Sequence, residues 1–355
     1  MSEFYACTSA DQAFPATGKS SGGRKISRSV DIHCHMGVPE AAALMKPHFK
    51  PELDPGSGFN SPESVAVNHA MAASIAASLT TVEGKLADMD RLGIEIQVLS
   101  PAPPQYFYWA DAELGLQTSR LINERIAATV ASHPDRFAGL ATLPMQEPSL
   151  AVAELRRCMK DLGMKGVEIS TNVSGVELSD PRFRPFFAAA EELGALIFLH
   201  PMGFTHGQRM STHYLNNLIG NPLESTLAVS HLIFGGVLDD HPGLRICVAH
   251  GGGYLASYTG RMDHAHRTRL DCQCCKRLPS TYLKNMYFDT VVFDRQQLRH
   301  MIDVYGADRI LMGSDHPFDM GDPDPIGSIR ALELPEDQFE KIVGGNARAL
   351  LGLDT

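Results

Sequence analysis

The sequence predicts a distorted (β/α)8 barrel of the TIM type, with a small inserted subdomain after its first strand. Eight short apolar segments alternate with longer helical patterns from Val30 onward. Segments such as ALIFL and RILMG are apolar throughout, which is typical of parallel strands buried on both faces. The length of 355 residues fits one barrel with an insertion, since barrels extend to ~250 residues or more. A doubly wound open sheet is the alternative, but it would need a glycine-rich turn where this chain has His-Cys-His.

The predicted strands and helices follow one another in regular order. We predict the strands at 29–33, 94–99, 137–142, 166–169, 195–200, 245–250, 286–289 and 309–313. The helices are predicted at 82–92, 114–132, 150–162, 182–193, 222–238, 254–269 and 296–305, and from 337 to the end. Gly163 and Gly194 directly follow two of these helices, and glycine at that position is typical of a helix end. A helix after each strand favours a parallel barrel.

Two stretches lie outside this alternation. Residues 1–28 are polar and rich in small residues, and we expect them to form a flexible N-terminal arm before the barrel at 29–355. After the first strand, residues 36–80 contain several prolines and then the alanine-rich run VAVNHAMAASIAAS. Because this stretch is too long for a plain loop, we expect an inserted subdomain or lid at about 36–80.

The composition argues against several classes of protein. The chain carries 31 Lys and Arg against 41 Asp and Glu, a formal net charge of −10, and an acidic chain is a poor partner for nucleic acid. No apolar stretch approaches the ~20 residues needed to span a bilayer. We therefore expect a cytoplasmic protein with free thiols and no membrane partner. The cluster of Cys272, Cys274 and Cys275 lacks a second ligand pair, so we do not predict zinc there.

Four histidines and one aspartate fall at the C-terminal ends of predicted strands. They are His33 and His35 on strand one, His200 on strand five, His250 on strand six and Asp315 on strand eight. The strand period of two places the first two imidazoles on one face. Because active sites of such barrels lie at the C-terminal strand ends, we expect all five side chains to converge on one divalent ion. Imidazole with carboxylate favours Zn(II), and Fe(II), Co(II) and Mn(II) are the alternatives.

A catalytic metal keeps one coordination position open for water. Three histidines and one aspartate would leave such a position, and we predict the metal ligands to be His33, His35, His200 and Asp315. His250 is then the acid/base group that takes a proton from the metal-bound water. We choose His250 because the three glycines that follow it bring the backbone close to the site.

Four motifs carry a resemblance to a known family. They are IHCH at 32–35, LHP at 199–201, AHGGG at 249–253 and GSDHP at 313–317. They resemble the amidohydrolase superfamily and, within it, the 2-amino-3-carboxymuconate-6-semialdehyde decarboxylase family and related metal-dependent decarboxylases. The likeness extends to RFAGLATLPMQEPSLAVAEL and covers most of the chain from Val30 to Leu353. It implies one divalent metal, usually zinc, held by the predicted ligands, with His250 activating its water.

The resemblance also implies residues that bind an anionic substrate. Arg261 matches an arginine that reaches the substrate carboxylate in the neighbouring subunit, which implies a homodimer. Lys85 stands where the family has a second arginine, and a lysine cannot form the two-pronged grip on a carboxylate. Met202 replaces a tryptophan of the family. We expect Arg209 to supply compensating charge and Trp109, the single tryptophan, to line the pocket.

The leading hypothesis is a metal-dependent, non-oxidative decarboxylase of a small unsaturated or aromatic carboxylic acid. In it the metal and Arg261 orient the acid, and His250 with metal-bound hydroxide manages the proton that replaces carbon dioxide. A hydrolase or hydratase of the same superfamily, acting on a ring-cleavage product or a lactone, is the alternative. The resemblance implies that hydrolases with two metals often bridge them with a carboxylated lysine after strand four. Strand four ends here with Glu168 and no lysine, which favours one metal over two. A non-catalytic metal-binding barrel is the third hypothesis, and no organic cofactor is implied.

Overall fold

The strands form a parallel barrel. The computed structural model describes residues 28–353. The strands are β1 Val30–Met36, β2 Ile96–Pro101, β3 Phe137–Ala141, β4 Gly166–Ile169, β5 Asn172–Val173, β6 Val176–Glu177, β7 Leu196–Leu199, β8 Arg245–Val248, β9 Tyr287–Asp289 and β10 Ile310–Leu311. Strands β5 and β6 form a separate antiparallel hairpin, and the other eight pair in parallel in the order β1-β2-β3-β4-β7-β8-β9-β10. The predicted (β/α)8 barrel is confirmed.

The barrel closes between β1 and the chain that follows β10. The backbone N–H of Ile32 donates to the carbonyl of Met312 at 2.9 Å, and the N–H of Asp315 donates to the carbonyl of His33 at 2.8 Å. The last strand is only two residues long, so closure depends on this irregular continuation. Main-chain hydrogen bonding therefore places Asp315 beside β1, although 282 positions separate it from His33 in the sequence (315 − 33).

Helices cover the outside of the barrel in the described part of the chain. The α-helices are α1 Pro39–Met45, α2 Pro55–Gly58, α3 Pro62–Ser74, α4 Ala76–Thr80, α5 Val82–Leu92, α6 Ala112–Ser132, α7 Pro148–Lys160, α8 Arg184–Leu193, α9 Asn221–Phe234, α10 Val237–Asp240, α11 Leu255–Thr268, α12 Pro279–Leu283, α13 Arg295–Tyr305, α14 Pro325–Arg330, α15 Glu336–Glu340 and α16 Asn346–Leu351. Two π-helical turns lie at Asn216–Gly220 and Lys341–Gly345. Within residues 28–353, none of the helices combines the length and apolar character needed to cross a membrane.

The single helix predicted over 222–238 is wrong, because the structure has two helices, α9 and α10, in this stretch. Gly235 follows the last residue of α9, and Gly236 adopts a φ of 75°. That left-handed conformation is easily adopted by glycine and interrupts a right-handed helix. The pair of glycines therefore turns the chain between the two helices.

Residues between β1 and α5 carry four additional helices, α1 to α4. None of the residues of α3 is buried, and the hydroxyl of Ser61 caps its first turn. The ends of the stretch are tied to the barrel, since the N–H of Gly37 donates to the carbonyl of Leu79 at 3.0 Å. The inserted subdomain at about 36–80 stays a prediction. The N-terminal arm predicted at 1–28 lies, except for Arg28, outside the described residues.

A buried carboxylate joins α6 to α7 on the outside of the barrel. Glu154 is 1% exposed, and it accepts hydrogen bonds from Asn123 Nδ2 at 2.8 Å and from Arg157 Nη2 at 2.7 Å. Burial raises the pKa of Glu154, but the bonds from Arg157 and Asn123 outweigh it and hold the pKa below its usual value. The stabilisation is therefore present at neutral pH and is lost as the pH falls through the folded-state pKa.

Glu154→Gln is expected to lower the free energy of unfolding by ~1–3 kcal/mol at pH 7, because an amide cannot replace every bond that this buried carboxylate accepts. Urea unfolding at pH 7 and at lower pH measures the effect, and the difference from the native chain should shrink as the pH falls. Glu192→Gln is the control, since Glu192 is 60% exposed and pairs with Arg156 at the surface. Equal losses in both variants would contradict the prediction.

Candidate metal centre

Four possible ligand atoms meet at the C-terminal rim of the barrel. His33, His200, His250 and Asp315 each offer one nitrogen or oxygen, and these atoms lie within 4.8 Å of one another. Among the described residues, no other set of three or more such side chains has this geometry. The four residues come from β1 and from the segments that follow β7, β8 and β10. The structure therefore indicates a metal site at the rim where the strand ends predicted one.

Asp315 contacts three histidines of the rim. Its Oδ1 lies 3.3 Å from His33 Nε2 and 3.1 Å from His35 Nε2, and its Oδ2 lies 3.4 Å from His250 Nε2. Burial raises the pKa of this carboxyl, but the surrounding imidazoles outweigh it and hold the pKa well below its usual range. Asp315 is therefore an ionised carboxylate at neutral pH, which is the form that binds a cation.

His33 is oriented by a second carboxylate, Asp289 at the end of β9. The Nδ1–H of His33 donates to Asp289 Oδ2 at 2.6 Å, and both side chains are fully buried. Burial lowers the pKa of His33, but Asp315 and Asp289 outweigh it and raise that pKa. Because Nδ1 is engaged by Asp289, Nε2 is the nitrogen that faces the centre and would bind a metal once deprotonated, as is usual for a metal-binding histidine.

Asp289 also holds the turn that carries His250. Its Oδ2 accepts the backbone N–H of His250 at 3.0 Å, and its Oδ1 accepts the N–H of Gly251 at 2.7 Å. None of the sequence motifs marks Asp289 as a site residue. The available signal was its position as a carboxylate at the end of the seventh predicted strand, one strand before Asp315.

His35 points into the same space from β1. Its Nδ1 donates to the carbonyl of Pro101 at 3.0 Å, which leaves the lone pair on Nε2. That Nε2 lies 3.1 Å from His33 Nε2. His35 is nevertheless outside the group of four atoms within 4.8 Å, which contains His250. The division of roles between His35 as ligand and His250 as acid/base stays a prediction.

His200 provides the test of whether these residues fit a metal. It is 4% exposed, and neither of its ring nitrogens has a hydrogen-bond partner among the described residues. Burial and the neighbouring imidazoles hold its pKa well below the usual value, so the ring is neutral. A buried polar group without a partner costs ~1–3 kcal/mol, and a bound cation would remove that cost. The neutral imidazole and the ionised Asp315 together form a donor set that fits a divalent metal.

The surroundings favour one metal ion. Where a bridging lysine would be needed, β4 carries Glu168, whose Oε1 accepts from the Tyr106 hydroxyl at 2.5 Å and whose Oε2 lies 3.7 Å from His35 Nδ1. Burial raises the pKa of Glu168. Free thiols are present at Cys272, Cys274 and Cys275, and in the described part of the chain they join no group of metal-binding side chains.

The predicted substrate-binding residues occupy different places. Lys85 is fully buried, and its Nζ donates to the carbonyl of His35 at 2.5 Å, behind the strand that carries the histidines. Trp109 and Met202 line the same open cavity. Arg209 and Arg261 are exposed. The roles of these residues in binding a substrate stay predictions.

Comparison with known proteins identifies the family. The model of the amidohydrolase family Amidohydro_2 matches residues 30–353. The chain belongs to this family. It is 37% identical over 273 residues to the 2-amino-3-carboxymuconate-6-semialdehyde decarboxylase of Dictyostelium discoideum, covering 76% of each chain. The resemblance stated from the four motifs is confirmed.

Two solved structures of decarboxylases share the fold. The 5-carboxyvanillate decarboxylase from Sphingomonas paucimobilis superposes with a TM-score of 0.82 at 27% identity, covering 92% of this chain and 99% of that one. A dihydroxybenzoic acid decarboxylase from Polaromonas sp. JS666, with bound manganese and the inhibitor 2-nitroresorcinol, has a TM-score of 0.78 at 26% identity. This match covers 93% of the present chain and 98% of the Polaromonas chain.

Proposed function

We propose that this protein is a metal-dependent, non-oxidative decarboxylase of a small aromatic or conjugated carboxylic acid. The observation that carries the proposal is the group formed by His33, His200, His250 and Asp315 at the rim of the barrel. The Dictyostelium relative and the two solved structures described above are decarboxylases, which supports the predicted reaction class.

For the metal we propose Zn(II), because two or more imidazoles with one carboxylate suit this ion. The Polaromonas structure contains manganese, so Mn(II) is the alternative. When bound, such an ion supplies a Lewis acid that polarises an oxygen of the substrate. Metal analysis of the protein as purified distinguishes the two ions.

The residues of the chain divide the remaining work. Decarboxylation breaks the bond to the carboxyl carbon, leaves its electron pair on the substrate carbon and requires one proton there. His250 is suited to deliver that proton, since its side chain is 16% exposed whereas His33 is fully buried, so His250 can be reprotonated from water. Asp315 Oδ2 lies 3.4 Å from His250 Nε2 and orients the ring.

For substrate binding we propose that the aromatic ring lies in the cavity lined by Tyr108, Trp109 and Met202. The carboxylate needs a cation, and we propose Arg261 from a second copy of the chain in a homodimer, with Arg209 as the alternative. Arg261 lies on α11 and is exposed. Lys85 adds positive charge from behind His35. The free thiols of the described residues suit a cytoplasmic location.

Release of carbon dioxide tests the proposed function. Purified protein of known metal content is incubated with carboxyl-labelled 2,6-dihydroxybenzoate, 5-carboxyvanillate and 2-amino-3-carboxymuconate 6-semialdehyde. We expect labelled carbon dioxide and the decarboxylated product in equal amounts for at least one acid. Removal of the metal by a chelator should abolish the release, and Zn(II) or Mn(II) should restore it. Conversion to a hydrated or cleaved product without carbon dioxide would instead support the hydrolase or hydratase.

A further inference from the structure

The loop that follows His200 is held by three buried side chains. Each of them accepts one backbone N–H of the loop, and the three come from the π-helical turn before α9 and from α9 itself. The bonds are Gly203 N–H to Asn221 Oδ1 at 2.7 Å, Phe204 N–H to Asn216 Oδ1 at 2.8 Å and Thr205 N–H to Glu224 Oε1 at 2.9 Å. Successive N–H groups are thus fixed by side chains and not by a regular element.

Asn216 differs from the other two because its amide also reaches the stretch between β1 and α5. It is 3% exposed, and its Nδ2 donates to the carbonyl of Pro55 at 2.8 Å. Pro55 lines one wall of the cavity that contains Trp109, and Gly203 lines another. One side chain therefore joins two walls of the cavity.

The approach of the two walls is close at this point. Gly203 has a φ of +72°, and a Cβ placed there would lie 2.7 Å from Asn216 Nδ2 and 2.7 Å from the carbonyl oxygen of Pro55. Only glycine fits so near to this contact. The amide of Asn216 consequently determines how far apart Pro55 and the loop can lie.

The position of this loop bears on the metal centre as well. The backbone N–H of His200 donates to the carbonyl of Ile169 at 3.0 Å, but its ring has no hydrogen bond to another described residue. Its orientation therefore depends on the path of the main chain and on packing. Met202, two residues further on, lines the cavity.

We propose that Asn216 is a positioning residue, which holds the loop after β7 against Pro55 and so sets the shape of the cavity that receives the substrate ring. That an aromatic substrate ring occupies the cavity rests on the proposed function. The hydrogen bonds by which Asn216 joins the two walls do not depend on it. Loss of the amide should widen the cavity without removing any of the metal-binding side chains.

Trp109 provides a readout that needs no substrate. It is the single tryptophan of the chain and it lines this cavity, so acrylamide quenching of its fluorescence reports access to the cavity. Asn216→Ala should raise the quenching constant. Asn216→Asp keeps an acceptor for the N–H of Phe204 but places an oxygen against the carbonyl of Pro55. The quenching constant should therefore rise in this variant too. Asn217→Ala is the control, since Asn217 lies in the same turn but takes no part in the four hydrogen bonds that hold the loop and Pro55.

On a substrate that the protein decarboxylates, both Asn216 variants should raise KM ~5-fold, the equivalent of one lost hydrogen bond, with kcat within ~2-fold and bound metal unchanged. Unchanged quenching in both Asn216 variants would overturn the proposal, even if the melting temperature fell, because Asn216 would then stabilise the fold only. Raised quenching without any decarboxylation would support the role of Asn216 and would count against the proposed function alone. An equal rise of the quenching constant in Asn217→Ala would also overturn the proposed role of Asn216.

Discussion

His250→Ala is expected to lower kcat ~10²-fold or more while the protein keeps one divalent ion per chain, because general acid/base groups contribute on that scale. In the structure His250 is the imidazole of the centre that faces water, with a 16% exposed side chain. Its Nδ1 is buried without a hydrogen-bond partner among the described residues, and its Nε2 contacts Asp315. Steady-state kinetics on the accepted acid, together with metal analysis of the same samples, measures the effect.

His35→Ala is the matched variant, since both histidines contact Asp315 and they differ in the proposed role. If His35 is a ligand, His35→Ala should lose metal affinity, while His250→Ala should lose turnover. The opposite pattern, with metal lost from His250→Ala and retained by His35→Ala, would show that His250 is the metal ligand and His35 the acid/base group. Near-normal turnover of fully loaded His250→Ala would exclude His250 as the proton donor.

The metal centre could be predicted from the sequence because it depends on a general property of the barrel. Parallel strands bring their C-terminal ends to one rim whatever the detailed packing, so polar residues that end different strands must lie near one another. His200 and Asp315 meet His33 at that rim for this reason. The period of two along β1 placed His33 and His35 on one face, as the 3.1 Å between their Nε2 atoms shows.

The residues that orient the centre could not be predicted in the same way. Asp289 acts through its bond to His33, and the sequence does not show which strand-end carboxylate binds the ion and which binds a ligand. The helix predicted over 82–92 contains Lys85 and is confirmed, but the periodicity does not show that Lys85 Nζ reaches the carbonyl of His35. Asn216 contacts Pro55 across 161 positions, between two segments without a regular hydrophobic period.

Asp289→Asn is expected to lower metal affinity ~10–100-fold, the range found when the partner of a metal-binding histidine is removed. The carboxylate of Asp289 accepts from four N–H groups, namely His33 Nδ1 and the backbone nitrogens of His250, Gly251 and Val291. An asparagine has one acceptor oxygen, so its NH₂ group must face at least one of these donors. His33 then loses the bond that keeps its proton on Nδ1.

Competition with a chelator of known affinity measures the change in metal binding for Asp289→Asn. Glu154→Gln is the control, because Glu154 is also a buried carboxylate but lies on α7, outside the barrel, and its loss should leave metal affinity unchanged. Unchanged affinity in Asp289→Asn would show that His33 is oriented by packing alone.

Asp289→Asn should also have a second, separable effect. Because Asp289 accepts the backbone N–H of His250, whose φ of 54° lies in the left-handed region, the substitution should shift the turn that aims this imidazole. At saturating metal the affinity loss through His33 is overcome by mass action, whereas a misplaced His250 is not. A lower kcat that persists at saturating metal would therefore show that one carboxylate positions both the ligand and the proton donor, and full recovery of kcat would restrict its role to His33.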